Sequence, residues 1–187
     1  MTDVTAAITG RRPRRADAAR NFDALIAAAR EAFAEHGATA SLEDIARRAG
    51  VGIGTLYRNF PTRDDLIEAV YVSEVVALAE AAADVRDREP MPALEAWLAR
   101  FVQYVGTKRA LVEGLTRESD VLAQCRAVMY DAGEPLLMRA QGAGAVDPEL
   151  TIQDVVRLIA GVAAVSTYED DAQRARVLAA AIRGLRP

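Results

Sequence analysis

The run from 41 to 60, SLEDIARRAGVGIGTLYRNF, constrains this chain more than any other stretch. Ser41 is a favourable N-cap, and Asp44 follows three residues on, where the exposed amides and the helix dipole favour a carboxylate. Leu42, Ile45, Ala46 and Ala49 recur at helical spacing and predict one short amphipathic helix. Gly50 comes where a helix favours a left-handed C-terminal residue, so Gly50-Val51-Gly52 predicts a tight turn plugged by Val51. A second short helix restarts near Ile53 and is limited by Pro61. Leu56 and Phe60 are its core positions, with Ile53 a further candidate. Gly54, Thr55, Tyr57, Arg58 and Asn59 leave a small, polar, cationic outer face. Two short helices joined in this way describe a helix-turn-helix, whose second helix enters the DNA major groove. The plain alternative is an αα-hairpin inside a bundle, and the polar outer face argues against it.

The longer run LEDIARRAGVGIGTLYRNFPTRDDLIEAV resembles the signature of the TetR family of bacterial one-component transcriptional regulators. A supporting first helix at 21–36, the pair Tyr57 and Phe60, and Arg63-Asp64-Asp65-Leu66 all stand where that pattern puts them. The resemblance is specific over 21–70 and only architectural beyond. It implies a DNA-binding domain followed by an acid-rich linking helix, a ligand pocket in the second half, and terminal helices that pair with those of a second copy. Gly52 departs from the pattern, which usually has a Ser there. Gly is a tolerable N-cap, but one common phosphate-contacting hydroxyl is missing.

With 51% hydrophobic and only 5% aromatic residues in 187, and few alternating β-branched runs, the chain is expected to be all-α. One cysteine excludes an intramolecular disulfide framework or a cysteine-rich metal site. No apolar run approaches the roughly 20 residues of a membrane helix, and no signal core opens the chain, so a cytoplasmic protein without membrane contact is expected. The net charge of −4 is unevenly spread: the first 63 residues hold 10 arginines against 7 acids, leaving −7 for the rest. That asymmetry suits a chain with one end meeting phosphate. Catalysis is not expected. His36 and Cys125 are single and far apart, no phosphate-cradling glycine loop follows a strand, and the acidic runs open helices. No cofactor or metal is expected either.

In chain order, residues 1–20 read as a disordered arm whose basic run Arg11-Arg12-Pro13-Arg14-Arg15 could equally lie along DNA. Residues 21–63 make the helix-turn-helix domain and 64–187 the ligand-binding and dimerisation domain. Within the latter, helices are expected at 62–84, 92–106, 118–139, 151–166 and 170–183, with a short helix or turn at 108–114. His36 caps the first helix end. Cys125 is either a small buried hydrophobe or a thiol sensor.

Trp97, Phe101 and Tyr104 share one helix face, with Arg126, Met129 and Tyr130 on a helix expected nearby. These residues are either core or the wall of a ligand cavity. Val155, Ile159, Val162, Val177, Leu178 and Ile182 lie on apolar faces wider than one contact needs, so they either close the bundle or form the dimer surface. The combined reading is a homodimeric repressor that binds a palindromic double-stranded operator and releases it when a small molecule binds. Ser41, Tyr57, Arg63 and the helix N-termini would position phosphates, Gly54, Thr55, Arg58 and Asn59 would read bases, and Gly52 counts among the DNA-binding residues without a hydroxyl to offer. The alternative is a helical ligand-binding or docking module without operator-specific binding.

Overall fold

The computed structural model describes residues 12–111 and 120–187, and every regular element among them is helical. The helices are α1 (Ala16–His36), α2 (Leu42–Arg48), α3 (Ile53–Asn59), α4 (Arg63–Asp84), α5 (Pro90–Leu111), α6 (Asp120–Gly142), α7 (Ile152–Ala163) and α8 (Asp171–Arg183), with a 3-10 turn at Gly37–Thr39. The all-α expectation holds.

Two helices differ in extent from expectation for identifiable reasons. α1 begins at Ala16, five residues ahead of position 21, because Ala16, Ala18 and Ala19 are strong helix formers and Asp17 suits the first turn. Just before it, Arg12 forks onto Asp23 at 2.8 and 2.5 Å, so this end of the basic run is folded against the helix. The rest of the expected arm, 1–11, lies outside the described residues. Likewise α5 starts at Pro90, a favoured first position, and runs to Leu111 through Gly106. Of the expected element at 108–114, residues 108–111 therefore belong to α5; the remainder, and the first residues of the helix expected from 118, are outside the described residues.

The chain divides into two compact units, Met1–Val76 with Thr107–Cys125, and Ala77–Gly106 with Arg126–Pro187. In the first, α1 packs on α2 and α2 on α3. Phe22, Leu25, Ala29, Phe33, Ile45, Leu56, Phe60, Leu66 and Val70 form its core, with Phe22 and Phe60 rings 5.1 Å apart. The one buried charge among the described residues, Glu74, faces Arg30 at 3.3 Å. α4 opens on a capping box, in which Thr62 and Asp65 exchange backbone and side-chain hydrogen bonds.

In the second unit the core is built on Leu94, Trp97, Leu98, Phe101, Leu136, Leu137, Ile152, Val155 and Ile159. α6 continues through Pro135 without a break. Arg139 donates to the carbonyls of Arg86 and Arg88 and so fixes the turn between α4 and α5. α7 opens on a second capping box, Thr151 with Asp154, and packs on α8.

Candidate nucleic-acid interface

The helix-turn-helix is built from local rules. Ser41 accepts from the Asp44 amide at 3.2 Å and caps α2. Gly50, at φ 68°, turns the chain, and the Val51 amide returns to the Ala46 carbonyl at 3.0 Å. Gly52 is extended and caps α3 through its carbonyl alone, which takes the Thr55 amide at 2.8 Å. Leu56 and Phe60 are buried beneath α3, and their burial fixes which face of the helix looks out.

That outer face consists of Gly52, Ile53, Gly54, Tyr57 and Arg58, all exposed. Tyr57 is 47% exposed and Ile53 38% exposed. Sequence reasoning placed Ile53 among the core candidates; the structure puts it at the leading edge of the outer face. Only the depth of the neighbouring core decides between those two, and periodicity does not report depth. Thr55 is half-buried. Asn59 is turned inward, donating from Nδ2 to the Thr55 carbonyl at 2.8 Å, so its amide serves the helix backbone rather than a base edge.

Arg63 is the second departure. Its side chain is half-buried, and Nη1 donates to the carbonyls of Ala38 at 3.0 Å and Ala40 at 2.5 Å. It ties the start of α4 to the loop ahead of α2. The sequence signal for this was weak, because the acceptors are backbone groups 23 and 25 residues away.

The frame beneath the outer face is held by charge. Arg48 forks onto Glu35 at 2.9 and 2.7 Å and reaches Asp44 through Nε at 2.6 Å, while Arg47 also pairs with Asp44. These bonds from Arg48 hold the Glu35 carboxyl below its ordinary range; those from Arg48, then Arg47, do the same for Asp44. The Arg48 guanidinium is pushed further up in turn. Five of the arginines counted as basic surface are matched by acids: Arg12, Arg20, Arg30, Arg47 and Arg48. Arg14, Arg15 and Arg58 remain exposed.

Comparison with known proteins decides the family. Residues 25–70 match the family described as bacterial regulatory proteins, tetR family, and residues 89–187 match the transcriptional regulator SbtR-like, C-terminal domain. The solved TetR transcriptional regulator SCO0520 from Streptomyces coelicolor is 38% identical, with 88% of this chain and 98% of that one aligned at a TM-score of 0.77. The chain belongs to the TetR family. A TetR transcription regulatory protein from Mycobacterium vanbaalenii is 30% identical over 94% of this chain and all of that one, at a TM-score of 0.74. The fatty acid degradation regulator FadR from Bacillus halodurans, 19% identical at a TM-score of 0.61, shares the fold.

The DNA-binding helix-turn-helix of this TetR-family regulator is therefore α2, the Gly50-Val51-Gly52 turn and α3. In its SbtR-like domain, Trp97, Phe101 and Tyr104 are all buried on α5, their rings stepping 6.1 and 5.8 Å along one face. Trp97 donates from Nε1 to the Leu78 carbonyl at 3.2 Å. Its indole lies on Gly133 so closely that a Cβ there would overlap it and come within 2.9 Å of Ile152 Cδ1. At Trp97, the face is packed core. Met129 is buried and Tyr130 half-buried, whereas Arg126 is exposed and does not join them. Cys125 is buried, as its apolar alternative requires.

The expected dimer residues divide similarly. Val155 and Ile159 are fully buried within the protomer, so they have no surface to offer. Val162, Leu178 and Ile182 are half-buried and Val177 is exposed. Leu158, 43% exposed, is an apolar residue of α7 that sequence reasoning passed over. Among the described residues no group of three His, Cys, Asp or Glu could hold a metal ion, and no helix is long and apolar enough to cross a membrane.

Proposed function

We propose that this regulator is a homodimeric repressor that binds a palindromic operator through α3 and releases it when a small molecule occupies the second domain. The observation that carries the DNA part is the division of α3 into a buried underside, Leu56 with Phe60, and an exposed face of Gly52, Ile53, Gly54, Tyr57 and Arg58. Arg58 reads a base edge, with Gly54 and Thr55 beside it, and Ser41 and Tyr57 position the phosphates. In functional terms the residues ahead of α1 are the arm, α1 to residue 63 the reading domain and 64–187 the effector and dimer domain. The two-fold dimer belongs to this reading because it would set two copies of α3 on half-sites about one DNA turn, or a multiple, apart.

For the effector, the support is the aromatic step Phe101 and Tyr104 on α5, beyond the packed Trp97, with Met129 buried on α6. Effector and operator then oppose each other by population shift, each weakening the other's binding by the same factor. The test is a gel shift of the full chain on the DNA flanking its own gene, followed by titration of apolar small molecules into the complex. A specific shifted band that such a molecule dissolves is the expected result. The absence of any specific band leaves the chain a helical ligand-binding or docking module.

A further inference from the structure

The leading tip of α3, Gly52-Ile53-Gly54, has a composition that the fold does not require. Ile53 is the first residue of the helix and 38% exposed, although a branched aliphatic side chain gains from burial. The two glycines beside it are also unforced. Gly52 has an ordinary φ of −72°, and an added Cβ at either glycine would meet nothing within 4 Å. Glycine inside a helix is disfavoured relative to alanine, so Gly54 weakens α3 without relieving any contact in the chain. What the two glycines supply is a bare backbone on either side of one apolar knob, open to the outside.

The chemistry of the knob restricts what it can meet. Ile53 has no side-chain donor or acceptor, so it cannot read the polar edges of guanine, cytosine or adenine. The C5-methyl of thymine is the one apolar feature that unmodified DNA presents in the major groove. Side chains at the N-terminal end of a reading helix are also those that meet base edges. We propose that Ile53 is a specificity-determining residue that packs on a thymine methyl in each operator half-site, and that Gly52 and Gly54 let the backbone approach closely enough for that contact. The inference rests on the operator-binding reading above and goes further, because it names the base and the atom recognised.

The test uses the full chain and the DNA fragment protected in footprinting. Each thymine is replaced in turn by deoxyuridine, which removes only the methyl, and affinity is read by fluorescence anisotropy. One symmetric pair of positions should weaken wild-type binding by about fourfold per half-site, the worth of one buried methyl group. Ile53→Ala should bind the thymine and uracil duplexes alike. Gly54→Ala should keep its helical circular dichroism, melt no lower than wild type, and lose roughly tenfold in operator affinity as its methyl intrudes. Specific binding without a uracil-sensitive position, persistence of that sensitivity in Ile53→Ala, or a Gly54→Ala variant that binds like wild type would each overturn the proposal. If the wild-type chain protects no fragment at all, the operator reading falls first and this inference with it.

Discussion

At Arg63 one guanidinium nitrogen serves two backbone carbonyls, Ala38 and Ala40, and this changes what its removal should do. A residue that neutralises phosphate contributes about one unit to the salt slope of binding. A residue that braces the reading domain contributes to stability instead. Arg63→Ala should therefore lower the melting temperature and operator affinity together while leaving the salt slope unchanged. Arg63→Lys, one point charge where a planar fork stood, should recover only part of the loss. A slope shallower by one unit would return Arg63 to the phosphates. Gly133 makes the complementary case in the second unit. Its Cβ would overlap Trp97, so Gly133→Ala should destabilise the chain by roughly 1–3 kcal/mol through overpacking, seen as a lower melting temperature and a shifted Trp97 emission. Neither effect is legible from sequence. Ser41 and Gly50 were legible because a cap and a left-handed turn are settled by near neighbours. The destinations of Arg63, Asn59 and Ile53 depend on how far the core reaches, and sequence spacing carries no measure of that distance.

α2 is only seven residues long, shorter than an isolated helix can sustain, so its partners must hold it. Leu42, Ile45 and Ala46 supply the buried side, and Arg48 supplies the polar one by joining Asp44 in α2 to Glu35 in α1. Both carboxyls titrate below their ordinary values of 4.5 and 3.8, chiefly because of Arg48. A carboxyl with a depressed folded-state pKa adds stability at pH above its unfolded value, and that stability is lost as pH falls through the folded value. The contribution should thus be complete at neutral pH and fade below about pH 4.5. Arg48→Met keeps the aliphatic stem and removes the charge. It should melt below wild type at pH 7, and the gap between the two should narrow as pH is lowered from 4.5 towards 3. A constant gap across that range would assign the loss to packing. The helices themselves could be read in advance wherever a cap or an apolar stripe was local, as with Thr151 and Asp154 at the start of α7. Their lengths could not. Ala16 extends α1 beyond its apolar stripe, and α5 runs through Gly106 because one glycine lowers helix stability without ending the helix.

On the scale of the whole molecule, α8 is the helix with no buried residue. The family likeness was legible in the first third of the chain because a helix-turn-helix forces particular residues into a short span. A dimer surface imposes only apolarity, which is why buried Val155 and Ile159 looked the same in sequence as exposed positions. Exposure separates them. Leu158 on α7 and Val177 on α8 are 43% and 39% exposed, while Ile159, next in sequence to Leu158, is fully buried. If a second copy covers this surface, Leu158→Asp and Val177→Asp should each give monomers in sedimentation velocity at micromolar concentration, with helical circular dichroism and melting behaviour kept. Operator affinity should fall by roughly 10²–10⁴-fold, the advantage lost when two linked reading helices become one. Ile159→Asp serves as the contrast. A carboxylate forced into that core is strongly destabilising, so this variant should lose its cooperative melt rather than its partner. Should both surface variants sediment as dimers, the pairing surface lies elsewhere on the chain. Should they unfold as Ile159→Asp does, Leu158 and Val177 serve the fold of the protomer and not its pairing.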